Sequence, residues 1–375
     1  GITSEKMVEA IGKAGMLGFF GAAGLSLADI EASLNTLQQN MAGIPFGSNL
    51  IHNPSEPDNE AAVVDLYLRR GIRLISASAF LRLTLPLILY RVKGIHLAPD
   101  GTIVCPNKII AKVSRIELAR KFFAPPPDKL LARLVENGKI TRQEADLARH
   151  IPVADDLTAE ADSGGHTDNR PALSLLPTML ALRDEMMDHH RYQRPLCVGL
   201  GGGIATPAST AAAFSMGAAY VLTGTVNQAC VEAGISEIVR SMLAEARQAD
   251  VTMAPAADMF EMGVKVQVLK RGTLFPQRAA KLYDLYSRHE AYDKIAAKDR
   301  KTLEDKFFCG SFEEQWRQTR AFFEQRDPKQ IDRAERDPRH KMALVFRSYL
   351  GRSSGWAKTG DPKRKIDYQI WCGPA

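Results

Sequence analysis

The chain has no long apolar run and little cysteine. Its 375 residues contain no uninterrupted apolar stretch of about 18 residues, so we expect no membrane span. No secretory leader is recognisable either. The five cysteines are scattered, with neither metal-ligand spacing nor a disulfide framework, and this pattern predicts a reducing cytoplasm and no metal site: Cys105, Cys197, Cys230, Cys309 and Cys372.

Several familiar catalytic signatures are also absent. No Gly-x-Ser-x-Gly elbow of a hydrolase occurs, and the glycines at 201–203 lack the spacing of a dinucleotide fingerprint. His189 and His190 have no third ligand at a spacing that zinc would need. The formal net charge of +6 is modest for this length, so we expect no nucleic-acid binding.

What the chain does have is an alternation of short apolar runs with amphipathic or alanine-rich stretches, which indicates βα units and a parallel sheet. Seven strands are predicted: Met16–Phe20, Phe46–Ile51, Arg73–Ser76, Ile109–Val113, Val153–Glu160, Leu196–Leu200 and Tyr220–Leu222. The predicted fold is an α/β TIM (β/α)8 barrel, whose closure needs eight strands. We expect the first strand to lie upstream of Gly1.

Two regions depart from this rhythm. Residues 114–150 are rich in lysine, arginine and leucine around Ala-Pro-Pro-Pro at 124–127, and they predict a helical insertion that acts as a lid or as a substrate platform. From residue 254 charged residues mix with aromatics. We therefore predict a flavin-binding barrel over 1–253 and a mainly helical C-terminal subdomain over 254–375, packed on the barrel.

Two strand ends carry glycine and predict a phosphate cradle. Gly202 and Gly203 follow one strand, and Gly224 and Thr225 follow the next. Glycine lets an anion approach backbone N–H groups closely, and paired loops after the last strands of a barrel form a common phosphate site. The alternative interpretation is that these glycines only make tight strand-to-helix turns.

Other polar residues at predicted strand ends are candidates for chemistry. His166 follows Gly164 and Gly165 on a turn after the strand that ends at Glu160, where it can exchange a proton near neutral pH. Asn49 offers donors and an acceptor to a heterocycle, or it stabilises a turn. Lys112 faces an anionic ligand or extends to solvent, and His166 is equally compatible with a surface loop.

Longer stretches of the chain resemble known families. The Gly-Gly-His turn, the Gly-Gly-Ile loop and the closing Gly-Thr resemble flavin barrels of the nitronate monooxygenase type, which include enoyl reductases. The stretches at 161–168, 223–234, 257–276 and 368–375 resemble the PfaD family more narrowly. That family serves polyunsaturated fatty acid synthases and trans-acyltransferase polyketide synthases.

The PfaD resemblance implies an enoyl reductase that uses FMN and NADPH or NADH to reduce α,β-unsaturated acyl thioesters on an acyl carrier protein. It implies His166 as the catalytic residue beside the flavin. The remaining matched positions are implied to bind the cofactor: Asn49, Lys112, Glu160, Gly164, Gly165, Gly202, Gly203, Gly224 and Thr225.

The sequence also suggests a partner protein and two rival functions. The basic residues of the insertion predict a dock for an acidic carrier protein, or simply a solvated helix face: Arg115, Arg120, Lys121, Lys129 and Arg133. Aromatic residues in the C-terminal helices predict a homodimer. The rival functions are a nitronate monooxygenase, with His166 as base, and a flavin-free scaffold of a synthase.

Overall fold

A computed structural model describes residues 2–53 and 57–374 of the chain. These residues form two compact units. The barrel unit comprises the described residues up to Asp162 together with Asp168–Gly234. The C-terminal unit comprises Ser163–Thr167 and the described residues from Ile235 onward. A five-residue excursion of the chain at 163–167 therefore belongs to the second unit.

Twelve strands occur in the described residues. They are β1 (Gly18–Phe20), β2 (Phe46–Ile51), β3 (Leu74–Ser78), β4 (His96–Leu97), β5 (Ile103–Val104), β6 (Lys108–Val113), β7 (Asp156–Glu160), β8 (Gly165–His166), β9 (Cys197–Gly201), β10 (Val221–Leu222), β11 (Val251–Pro255) and β12 (Lys265–Leu269).

Seven of these strands form the sheet of the barrel unit, in the order β1-β2-β3-β6-β7-β9-β10. Each neighbouring pair is parallel. All seven predicted strands are thereby confirmed, as is the α/β barrel class. Because parallel strands run the same way, their carboxyl ends collect at one edge of the sheet. The strand expected before Gly1 lies outside the described residues.

Helices alternate with these strands, and several of them begin at a residue whose side chain caps the helix. Ser4, Ser26, Thr84 and Thr206 each accept a backbone N–H at the start of a helix. The helices of the barrel unit are α1 (Glu5–Lys13), α2 (Leu27–Asn40), α3 (Pro57–Arg69), α4 (Leu85–Val92), α5 (Ile116–Phe123), α6 (Asp128–Glu136), α7 (Arg142–Ala148), α8 (Ala172–His190), α9 (Pro207–Ser215) and α10 (Thr225–Gln228).

The predicted helical insertion is present as α5, α6 and α7. The prolines at 125–127 separate α5 from α6, since proline lacks the N–H that a continuing helix needs. Phe122, Phe123, Leu131 and Leu134 are buried in the core of the barrel unit. The insertion is thus anchored by its apolar face.

A buried ion cluster lies at the amino ends of the strands. Arg91, on α4, is fully buried and places Nη2 2.9 Å from the Oδ2 atom of Asp155. Lys108, at the start of β6, lies 3.0 Å from the same oxygen. Burial by itself would raise the pKa of Asp155, but the two cations outweigh it and hold the pKa below its usual value. This cluster joins three elements at the edge opposite to the glycine loops.

The C-terminal unit combines a small sheet with helices. Its antiparallel strands run in the order β11-β12-β8. Its helices are α11 (Glu237–Ala244), α12 (Phe275–Arg288), α13 (Ala297–Thr302, continued by a π-helical turn), α14 (Phe312–Arg326), α15 (Lys329–Arg336) and α16 (Pro338–Thr359). A separate hydrophobic core, with Phe260, Phe275, Phe346 and Tyr349 among its members, supports this unit.

The compact units divide the chain at a different place from the boundary predicted at 253 and 254. Residues 235–253 belong to the C-terminal unit. At the end of this stretch, β11 starts at Val251 and pairs with β12 over five residues, and at its beginning Ser236 donates a hydrogen bond to the carbonyl of Ala357. In the part of the chain that the structure describes, no helix is both long enough and apolar enough to cross a bilayer.

Candidate active site

The barrel unit brings two predicted site residues into contact at the carboxyl ends of its strands. Lys112 near the end of β6 places Nζ 2.9 Å from Oε1 of Glu160, the last residue of β7. The two side chains are 26% and 22% exposed, so the pair is half-buried. An ammonium carries three N–H donors, and the pair leaves donors on Lys112 for a ligand.

Asn49 stabilises a loop, as one of its two sequence-based interpretations predicts, and its contact with a heterocycle stays a prediction. Its Oδ1 accepts a hydrogen bond of 2.7 Å from the backbone N–H of Ala22, in the loop after β1. Among the described residues, none accepts a hydrogen bond from Nδ2. The side chain therefore stabilises a loop through its oxygen and keeps its nitrogen as a donor.

The loop after β9 has a packing reason for one of its glycines. Gly202 has φ +100°, and a Cβ there would lie 2.6 Å from the carbonyl oxygen of Asp162. Gly203 is also left-handed, with φ +70°. The backbone N–H of Ala161 donates to the carbonyl of Gly201, which ties this loop to the end of β7. Gly202 is thus required by the fold itself.

Gly224 differs from Gly202. A Cβ at Gly224 would meet no atom within 4 Å, so crowding does not explain the glycine. It precedes α10, which begins at Thr225. The open space beside its backbone is available to a ligand, as the predicted phosphate cradle requires.

A cleft of about 470 Å³ lies beside both glycine loops, a volume typical of small-molecule pockets. No local sequence pattern marks this cleft, because its walls come from two loops and one helix. Its lining includes Ile204, Pro207 and Phe214 on one side and Thr223 and Val226 on the other. It is predominantly apolar in residue type.

His166 lies in the C-terminal unit and not on a free loop. It forms β8 with Gly165, and β8 pairs with β12 so that His166 is opposite Val266. Its Nε2 lies 3.2 Å from Oδ1 of Asp258, and its ring meets Trp371 edge to face with centroids 5.5 Å apart. His166 thus belongs to a short strand with its side chain 32% exposed, and its catalytic role stays a prediction.

The glycines before His166 are dictated by the C-terminal tail. A Cβ on Gly164 would lie 2.9 Å from the backbone of Cys372, and one on Gly165 would lie 2.5 Å from the ring of Trp371. Gly165 also has φ +80°. These glycines serve packing inside the C-terminal unit. Their predicted role in cofactor binding stays a prediction.

Two histidines contact carboxylates that the sequence does not reveal as their partners. Asp258 is one, although it stands in the stretch that carried the family resemblance. The other is Glu60, whose Oε2 lies 2.6 Å from Nδ1 of buried His52 just after β2. Thr84 donates to the same carboxylate. No local pattern signals either contact, because the partners are distant in sequence or separated by a helix start.

Fold and site together define the class of this protein. Seven parallel strands, with polar side chains and glycine loops at their carboxyl ends, are typical of an α/β barrel that holds a phosphate-bearing ligand. A family model described as nitronate monooxygenase matches residues 1–315. A second model, the inserted helical domain of acyl-carrier-protein S-malonyltransferase, matches residues 289–368.

Two curated relatives are similar to this chain over its whole length. Polyketide biosynthesis protein PksE of Bacillus subtilis is 46% identical over 100% of this chain and 49% of its own length. A polyunsaturated fatty acid synthase protein of Thraustochytrium sp. is 46% identical over 100% of this chain and 25% of its own length. The chain thus spans about half or less of these curated relatives.

A solved structure covers the whole chain. The enoyl reductase domain of MlnA, from the macrolactin biosynthesis cluster of Bacillus amyloliquefaciens, is 40% identical with a TM-score of 0.95. The match covers 100% of this chain and 84% of that domain. The chain belongs to the nitronate monooxygenase family and, within it, to the PfaD-type enoyl reductase domains of polyunsaturated fatty acid and polyketide synthases.

Proposed function

We propose that this chain is an FMN- and NAD(P)H-dependent reductase of α,β-unsaturated acyl thioesters carried on an acyl carrier protein. The observation that carries the proposal is the likeness to the MlnA enoyl reductase domain over the whole chain. The synthase proteins among the relatives and the helical match to a carrier-protein enzyme support the same setting.

The residues of the barrel unit fit FMN. Lys112 supplies a cation with free donors, Asn49 supplies an Nδ2 donor, and Gly224 leaves its backbone open to a phosphate. Gly203 and Thr225 complete the proposed phosphate contacts, and Glu160 orients Lys112. A donor set with one ammonium and several N–H groups suits a ligand that carries a phosphate and a polar ring edge.

The chemistry divides between cofactor and protein. FMN, when bound, supplies hydride transfer from NAD(P)H to the β-carbon of the thioester. We assign to His166 the proton that goes to the α-carbon, so that an enoyl thioester, NAD(P)H and one proton give the saturated thioester and NAD(P)⁺. In this proposal Lys112 and Asn49 hold the cofactor.

One experiment tests this function against its rivals. The full chain, loaded with FMN, is reduced anaerobically by NADPH and then mixed with a crotonyl carrier protein. We expect flavin reoxidation and a butyryl product. Rapid oxygen-dependent turnover of a nitronate with little enoyl reduction would identify a monooxygenase instead. Purified protein that never binds flavin would identify a scaffold.

His166→Ala tests the proposed proton donor separately. General acid catalysis contributes about 10²–10⁴-fold, so the rate of product formation should fall by that order while FMN stays bound. An unchanged rate with bound FMN would remove His166 from the mechanism.

Ion pairs within the insertion reduce the number of basic residues that we propose for binding the acyl carrier protein. Arg115 and Arg120 are engaged with Asp168 and Glu185. Lys121, Lys129 and Arg133 are exposed and make no ion pair among the described residues. We therefore place the proposed dock on these three residues, since unpaired cations steer an acidic partner best.

Charge reversal tests the dock. The triple variant Lys121→Glu, Lys129→Glu, Arg133→Glu should raise KM for a crotonyl carrier protein and leave KM for crotonyl-CoA unchanged. The triple variant Lys6→Glu, Arg69→Glu, Lys298→Glu is the matched control, because it reverses three exposed cations outside the insertion that make no ion pair among the described residues. Equal KM values for carrier-bound substrate in the triple variant of the insertion and the native chain would remove the dock. The cytoplasmic location and the homodimer stay predictions.

A further inference from the structure

We propose that Asp258 is a positioning residue that orients the imidazole of His166 and holds the proton on its Nε2 atom. The inference rests on the proposed function of His166 as a proton donor. Nothing in the local sequence joins the two residues, which are separated by more than ninety positions.

The contact itself is specific. Nε2 of His166 is buried from solvent and has no aligned hydrogen-bond partner in the described residues. It faces Oδ1 of Asp258 at 3.2 Å, the one carboxylate oxygen within 4 Å of the ring nitrogens in the described part of the chain. No described residue bonds Nδ1, which leaves that atom for the substrate.

The carboxylate is held in place before any substrate arrives. The backbone N–H of Met259 donates to Oδ1 of Asp258 at 3.1 Å. Arg347 on α16 donates to the carbonyl of Ala257 at 3.0 Å and contacts the carboxylate of Glu261 at 3.2 Å. The loop that carries Asp258 is therefore braced from a helix.

The histidine is held equally well. Gly165 and Gly164 let the turn pack directly against Trp371 and Cys372, and β8 fixes the register of His166 on β12. Gln267 on β12 donates to the carbonyl of Ser163 at 2.9 Å. Since both partners are fixed by backbone contacts, their separation is a property of the fold.

Electrostatics favours the charged carboxylate. Burial alone would raise the pKa of Asp258, but the contact with His166 outweighs it and holds the pKa below its ordinary value. Other charged groups at this place are Arg347 and Glu261, which pair with each other, and His340, whose Nδ1 lies 3.9 Å from Glu261. An ionised Asp258 stabilises the imidazolium from which the proton leaves through Nδ1, in the manner of a carboxylate that orients a catalytic histidine.

The kinetic test uses Asp258→Asn, which keeps the shape and removes the charge. We expect kcat for crotonyl carrier protein to fall about 10- to 100-fold with little change in KM, less than the loss of the general acid itself. Asp258→Glu should restore part of kcat. Asp293→Asn, at an exposed position of the same unit, is the matched control and should behave like the native chain.

A double-mutant cycle separates positioning from mere structure. In the His166→Gln background, Asp258→Asn should cause no further loss of kcat, because its effect passes through the imidazole. A further loss of the same size would show a structural role and overturn the proposal.

A spectroscopic readout does not depend on activity. In ¹⁵N-histidine-labelled protein at a pH that is high enough for the imidazole to be neutral, the His166 signal, assigned by its loss in His166→Gln, should report the proton on Nε2, and Asp258→Asn should abolish that preference. Unchanged tautomers and unchanged kcat in Asp258→Asn would overturn the inference. A native chain that reduces no enoyl thioester would refute the proposed function, while the tautomer measurement would still decide the pairing.

Discussion

Alanine substitutions at Gly202 and Gly224 test whether the fold requires the first glycine and whether the proposed phosphate site requires the second. At Gly202, a left-handed alanine costs about 1–2 kcal/mol and the contact at 2.6 Å with the carbonyl of Asp162 adds about 1–3 kcal/mol of overpacking. Gly202→Ala should therefore lower the free energy of unfolding by about 2–5 kcal/mol. Gly224→Ala meets no atom and should change it by less than about 0.5 kcal/mol.

The affinity for FMN, in contrast to stability, should be lowered by Gly224→Ala. A methyl group at Gly224 blocks the approach of the phosphate to the backbone, and a lost hydrogen bond to a charged group costs about 1.5–3 kcal/mol. The Kd for FMN should rise about 10- to 100-fold. Quenching of flavin fluorescence measures the Kd, and denaturant unfolding of the same preparations measures stability.

Gly351→Ala is the control for this pair. Gly351 lies on α16, and a Cβ there also meets no atom within 4 Å, so the substitution should leave FMN affinity unchanged. If Gly224→Ala binds FMN like the native chain, the phosphate cradle is misassigned. If Gly202→Ala is as stable as the native chain, the packing argument fails.

Two further predictions concern charged groups of the barrel unit. Lys112→Met should raise the Kd for FMN about tenfold or more, because it removes the ammonium of the proposed site. Glu160→Gln should raise the Kd less, because it leaves the ammonium in place. Equal increases in Kd for the two variants in a fluorescence titration would contradict this order. Asp155→Asn should lower the free energy of unfolding by about 3–5 kcal/mol at pH 7, because it leaves the buried Arg91 cation without its anionic partner. Folding lowers the pKa of Asp155, so its contribution to the free energy of unfolding is complete above the unfolded pKa of about 3.9. That contribution is lost as the pH falls through the lower pKa of the folded protein. The free energy of unfolding should therefore depend less on pH in the acid range in Asp155→Asn than in the native chain.

The sheet of the barrel unit was predictable because its signals are local. The strands are short apolar runs, and several of the following helices begin at a cap such as Ser26 or Thr206. The period of the pattern depends on neighbours along the chain, so no tertiary contact was needed to read it. The membership of β11 in the C-terminal unit was not predictable, because β11 pairs with a strand that follows it and a strand's own sequence does not name its pairing partner.

The candidate site was predictable only in its residue types. Lys112 and Asn49 were identified from their places at strand ends, while the contacts they make, with Glu160 and Ala22, follow from the register of the sheet. Gly202 and Gly224 look alike in sequence. Their difference lies in the distance to a neighbouring backbone, which no local pattern contains.

By itself the sequence determined the class of fold, the seven parallel strands and the family, because periodicity and motif are properties of consecutive residues. The tertiary structure alone decided which carboxylate faces His166, why Gly164 and Gly165 precede it, and which arginines of the insertion are already paired. These contacts join segments that are far apart along the chain. They exist only once the backbone has brought those segments within hydrogen-bond distance.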